Sequence, residues 1–176
     1  MPVRVQTGDF DLSIEVANLR TAQGSRANRI GAIATFVGTV RDHNENAGIA
    51  SDVAALTLEH YPGMTERALE EIVSEATSRW NVFDALVVHR VGPLALGDQI
   101  VLVATIGAHR GEAFAACEFI MDYLKTRAPF WKKERTADGE RWVDARSTDD
   151  ASAARWANEG DAGDAIGGAG GARDAP

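Results

Sequence analysis

Cysteine occurs once in the 176 residues, at Cys117. No intrachain disulfide can therefore form, and a thiolate zinc site, which needs several sulfurs at tight spacing, is excluded. His43, His60 and His89 show no ligand spacing such as H-x-x-x-H, so the histidines do not suggest a metal centre either. No apolar run approaches the ~20 residues of a membrane helix. Met1 to Gln6 is short and polar, without the apolar stretch of a signal peptide, so the cytosol is the expected compartment. Positive charge is in deficit: 18 Lys and Arg against 26 Asp and Glu leave a formal charge of −8. That argues against a protein that wraps nucleic acid over a broad basic surface.

The chain has 45% hydrophobic and 25% charged residues, the composition and length of one globular domain. Its few cations are concentrated. Residues 125 to 135 carry Lys125, Arg127, Lys132, Lys133 and Arg135 against Glu134 alone, a local +4. A cationic spot on an anionic protein suits a small anion or the acidic face of one partner. Residues 158 to 176 contain six glycines and a single large aliphatic, Ile166, too little apolar surface to offset the entropy of ordering. The domain is therefore expected over 1–157 and a disordered tail over 158–176. Truncation after Ala157 is expected to leave melting and activity unchanged.

Hydrophobic patterning mixes strands and helices. Ile30 to Val40, rich in β-branched and small apolar residues, reads as a strand covered on both faces. A polar loop from Arg41 to Asp52 leads to a second strand, Val53 to His60. Pro62-Gly63 marks a turn, Thr65 is placed to cap a helix, and apolar residues then recur at helical spacing to Trp80. Phe83 to Val91 and Gln99 to Ala108 read as strands joined by a tight connection through Gly92-Pro93 and Gly97-Asp98. Phe114, Cys117, Ile120, Met121 and Leu124 form one stripe of a helix from Gly111 to Arg127, which Pro129 ends. Leu12 to Leu19 is a further short helix, and a short extended piece is expected around Arg141 to Arg146. The fold class is α+β, with helices packed on a mostly antiparallel sheet.

Two places invite chemistry. His109-Arg110-Gly111 stands where a strand hands over to a helix, so free backbone N–H groups and a positive helix end accompany a cationic side chain. The same residues are equally compatible with a packed histidine and a solvated arginine. Lys125 and Lys132 flank Thr126 to Trp131. Pro129 turns the chain between them, so the two amines can approach one point, and Phe130 and Trp131 could wall a partly dry pocket. The simpler reading is a solvated helix end, with Asp122 paired to Lys125. Cys117 belongs to the apolar stripe and reads as a buried, inert thiol. Met121 reads as core.

The segments TFVGTVRDHN (35–44), LTLEHYPGMTERALEEI (56–72), VVHRVGPLALGD (87–98), AHRGEAF (108–114), FIMDYLKTRAPFWKKE (119–134) and RWVDAR (141–146) resemble the large, catalytic subunit of molybdopterin synthase, in that family's order. The resemblance covers about residues 3 to 157. The loop after Arg41 is somewhat longer than the family pattern, and the Gly-rich tail lies outside it. The resemblance implies an α/β hammerhead-type fold and a homodimer within a heterotetramer. Each half would bind a small ubiquitin-like sulfur-carrier subunit ending in a Gly-Gly thiocarboxylate. Sulfur would pass from that carrier to cyclic pyranopterin monophosphate to form the dithiolene of molybdopterin, with no metal or organic cofactor.

Carried over by position, Lys125 is implied as the principal catalytic lysine and Lys132 as its assistant, with Lys133 and Glu134 completing the pocket wall. His109 and Arg110 are implied as phosphate or pterin contacts, with Arg41 and Lys132 converging on the same phosphate. Thr39, Val40 and Arg41 would line the opposite side. Arg146 would enter from the neighbouring protomer, and Phe36 and Met121 would pack beside the pterin. The competing class is an anion-binding or adaptor domain without catalysis.

Overall fold

The structure, a computed structural model, describes residues 3–42, 53–136, 139–143 and 147–159. Its elements in chain order are β1 (Val3–Gln6), α1 (Leu12–Thr21), a 3-10 turn (Gly24–Arg29), β2 (Ala32–Thr39), β3 (Val53–His60), α2 (Met64–Arg79), β4 (Val82–Arg90), β5 (Gly92–Ala95), β6 (Gln99–Gly107), α3 (Arg110–Arg127), β7 (Phe130–Thr136), β8 (Gly139–Val143) and α4 (Ser147–Glu159).

The strands form two four-stranded sheets rather than one. The first has the order β1-β4-β6-β2 and the second β5-β3-β7-β8. Only β1 against β4 is parallel, with Val3 opposite Val87; every other pair is antiparallel. The fold is therefore α+β, as the patterning suggests. The first sheet is covered on both faces. Leu69 and Ile72 of α2 and Phe119 and Ile120 of α3 pack on Val87 and Val103, while Phe10 and Leu19 pack on Leu86, Val88 and Leu102 from the other side. Full burial of each such side chain contributes about 1.5–3 kcal/mol.

Several elements differ from their sequence expectation. β2 meets the core on both faces, Ala34 on one and Ile33 and Val37 on the other, but as the edge strand of its sheet it is covered incompletely, and Phe36 stays 40% exposed. Gly92 to Ala95 is a strand and not merely a tight connection. Pro93 is tolerated because β5 is an edge strand, and Gly92 enters it at φ 87, a conformation that favours glycine. Thr65 is not a cap but lies buried in the first turn of α2, behind Gly63. Phe114, expected on the buried stripe of α3, is 64% exposed, whereas Phe119 and Tyr123 are buried.

α4 gives α3 a second packed face, at Phe119. Trp156 meets Phe119 and Trp80 edge-on, at 5.6 and 5.4 Å between ring centroids. The Trp156 indole N–H and the Arg155 guanidinium both donate to Asp122 Oδ2 at 2.8 Å. Asp122 thus ties α3 to α4. α4 runs to Glu159. Residues 160–176 of the tail lie outside the described residues.

Candidate active site

β6 and α3 set the layout of the site by a simple chain reversal. After Gly107 the chain turns at His109 into α3, which runs back over the strand it has just left. Thr105 Oγ1 donates to the Ala113 carbonyl at 2.7 Å, and further along the helix Cys117 Sγ lies 4.0 Å from the Val103 carbonyl, nearer the start of β6. The reversal is tight at Gly31, whose N–H donates to the Gly107 carbonyl at 3.0 Å. A Cβ on Gly31 would stand 2.1 Å from the Ala108 oxygen, so only glycine fits.

At the far end of α3 the helix delivers Lys125, exposed in its last turn. Ala128 is extended, as a residue before proline is, and β7 begins at Phe130. Alternation along β7 then sorts the charged residues. Lys132 and Glu134 share one face, across from Leu58 and Leu56 of β3. Lys132 Nζ lies 2.8 Å from Glu134 Oε1, and Glu134 is only 1% exposed. Leu56 and Leu58 pack with Val40, so the end of β2 adjoins this same face. The Val40 N–H donates to the Asp98 carbonyl at 2.9 Å and its carbonyl accepts from Gly97 N–H at 2.9 Å, which leaves Thr39 and Arg41 exposed beside it.

One end of the molecule therefore gathers Lys125, Lys132, Glu134 and the Thr39–Arg41 segment. Val40 contributes backbone there, since its side chain is core. Other expected members stand elsewhere. Lys133 points to the opposite face of β7, ion-paired to Glu140 and 5.6 Å from the Trp142 ring, because neighbouring residues of a strand face opposite ways. His109 and Arg110, both exposed, sit at the other end of α3. At 1.5 Å of rise per residue, Arg110 and Lys125 are roughly 22 Å apart along the axis. Arg110 thus does not converge with Arg41 and Lys132 within one chain. Met121 is buried in the main core, and Phe36 lies half-exposed on β2. Arg146 lies outside the described residues.

The chemistry on offer is that of amines and a carboxylate. Burial pushes the Cys117 thiol up to about 11, with the Glu118 charge adding to it, so the thiolate is not a nucleophile here. Its place on the buried stripe of α3 is the expected one. No group of His, Cys, Asp and Glu among the described residues could hold a metal ion. Sequence reasoning passed over two residues of this neighbourhood: Thr65, whose hydroxyl donates to the Pro129 carbonyl at 3.1 Å, and His89, whose ring stacks on Phe130 with centroids 3.8 Å apart.

Fold and site together define a two-sheet α+β protein that presents two lysines across a proline turn, one of them paired to a buried carboxylate. The MoaE protein family matches residues 5–127. A molybdopterin synthase catalytic subunit from Ralstonia nicotianae is 60% identical over 154 residues, covering 88% of this chain and 83% of that one. Among solved structures, a molybdopterin biosynthesis MoaE protein from Burkholderia ambifaria superposes with TM-score 0.72 at 63% identity, over 88% of this chain and 97% of that one. A molybdopterin synthase structure from Staphylococcus aureus gives TM-score 0.70 at 28% identity, over 82% of this chain and 98% of that one. The chain belongs to the MoaE family, the catalytic subunits of molybdopterin synthase.

Proposed function

We propose that this chain transfers sulfur from the C-terminal thiocarboxylate of a small ubiquitin-like carrier subunit to cyclic pyranopterin monophosphate, forming the dithiolene of molybdopterin. The observation that carries the reading is the lysine pair about Pro129. Lys125 is exposed in the last turn of α3, and Lys132 is held against the buried Glu134 carboxylate. An amine held beside a carboxylate can stabilise negative charge as the thiocarboxylate attacks. A second amine in reach can move a proton. Sulfur that arrives on a partner also leaves no task for Cys117.

The distance between Arg110 and Lys125 supports a homodimer in the heterotetramer. His109 and Arg110 of one copy would meet the lysines of the other, with Arg110 binding the substrate phosphate through charge-assisted hydrogen bonds. Lys133 and Glu134 then take different parts, Glu134 facing Lys132 and Lys133 holding the outer face of β7. The tail from 158 on is proposed to have no part in turnover, and the compartment is proposed to be the cytosol; among the described residues no helix is long and apolar enough to cross a membrane. The deciding experiment is incubation with thiocarboxylated carrier and pyranopterin precursor, with mass detection of the dithiolene product. Absence of that product, with precursor still bound, would favour an anion-binding domain without catalysis.

A further inference from the structure

The turn between the two lysines is held by two side chains that belong to neither lysine's element. The Phe130 N–H donates to the Ala128 carbonyl at 2.9 Å, closing a three-residue turn around Pro129. From α2, the Thr65 hydroxyl donates to the Pro129 carbonyl at 3.1 Å and accepts the Tyr61 N–H at 3.1 Å. From β4, the His89 ring lies nearly flat on Phe130, with 18° between planes. Its Nδ1 is 2.8 Å from the Arg90 carbonyl. A carbonyl oxygen only accepts, so Nδ1 carries the proton and the neutral ring is fixed in one tautomer and one orientation. Both residues are buried.

Apolar side chains of the same shape would fill these sites at less desolvation cost. What they would not supply is a hydroxyl that ties the start of α2 to Pro129, or a flat ring that ties the first sheet to the second. We propose that Thr65 and His89 are positioning residues for the sulfur transfer: they lock the turn from Ala128 to Phe130 so that Lys125, at the end of α3, and Lys132, on β7, address one reacting centre. This rests on the reading of the lysine pair given above. A rotation anywhere in the turn moves one amine relative to the other, and misplacement of about 1 Å costs on the order of a hundredfold in rate.

The test compares Thr65→Val with Thr65→Ser, and His89→Leu with His89→Phe, in the complex with thiocarboxylated carrier, with Lys125→Ala alongside. Thr65→Val and His89→Leu are expected to lower kcat per folded molecule about ten- to a hundredfold, with KM for the pyranopterin precursor within about twofold. Thr65→Ser, which restores the hydroxyl, and His89→Phe, which restores the stacked ring, are expected to return kcat to within about threefold of the parent. A merely structural role would lower the melting temperature and leave kcat per folded molecule unchanged. That result overturns the inference, as does an equal loss of kcat in both members of each pair. If Thr65→Val fails to fold, the two His89 variants decide alone. Normal turnover by Lys125→Ala would sink the lysine reading itself, whereas a dead Lys125→Ala beside active Thr65→Val and His89→Leu would sink only the positioning role.

Discussion

Lys132 and Glu134, two residues apart on one face of β7, form an ion pair of 2.8 Å in which the carboxylate is almost wholly buried and the ammonium about a third exposed. The cation is therefore part of what makes the buried carboxylate tolerable. Lys132→Ala is expected to lose turnover and also about 1–3 kcal/mol of stability, the cost of a charged group stripped of a hydrogen-bond partner. Lys132→Arg keeps the charge and should recover most of that stability without recovering the full rate, because the planar, forked guanidinium does not place its charge where the compact ammonium does. Urea unfolding and product assays on the two variants separate the effects. Equal stability of all three proteins would show that Glu134 does not depend on Lys132.

Lys125 is exposed, so Lys125→Ala should change stability by less than about 0.5 kcal/mol while abolishing product. Mixing it with Arg110→Ala tests the dimer. If each site takes its lysine from one copy and its arginine from the other, a mixed dimer regains one intact site. Statistical exchange of subunits should then restore activity to about a quarter of the sites. No recovery after verified exchange would place both residues in a site built from one chain.

Cys117, with its thiol pushed up to about 11 and buried in the main core, should resist thiol reagents in the native protein at neutral pH and react at once in denaturant. Cys117→Ala should keep turnover at the cost of a small cavity, about 1 kcal/mol. Stoichiometric labelling of the folded protein near pH 7 would contradict the burial described above.

Burial pushes His89 down to about 4 from its ordinary 6.5, against the opposing hydrogen bond to Arg90. Between these values the unfolded chain binds a proton that the folded chain does not, so stability rises with pH in this window. The contribution is complete above pH 6.5 and is lost as the pH falls to 4, by roughly 3 kcal/mol. His89→Phe should flatten that stretch of the stability profile. An unchanged slope between pH 4 and 6.5 would show that other groups carry it.

The elements with a clean period were readable before the structure. β3 has the expected bounds, and α3 and β6 begin or end within a residue of them. β7 was not readable as a strand, because Lys132, Lys133, Glu134 and Arg135 are all charged and hide an alternation that the fold resolves only by burying Glu134. α4 was missed because its anchors are few: Ala153 and Trp156 are buried in a stretch that is otherwise mostly small and polar. For the site, the residues about Pro129 raised both lysines, the resemblance implied their roles, and chain topology supplied what neither did. A strand followed at once by a helix of similar length must return, so Arg110 and Lys125 had to be at opposite ends. Thr65 and His89 left no local signal, since Thr65 meets Pro129 across 64 positions of sequence and the His89 ring meets Phe130 between two sheets.

α3 acts as a spacer of fixed length and fixed phase between the turn at His109 and the amine at Lys125. A residue added to or deleted from its interior would shift one end by about 1.5 Å and rotate it by about 100° relative to the other. Both ends are anchored, the first by the contact of Gly31 with Ala108 and the second by the turn at Pro129. Insertions and deletions should therefore be silent elsewhere on the surface yet ruinous within Arg110–Arg127. A scan of single-residue insertions along the chain, scored by product formation, should draw that helix as one continuous gap.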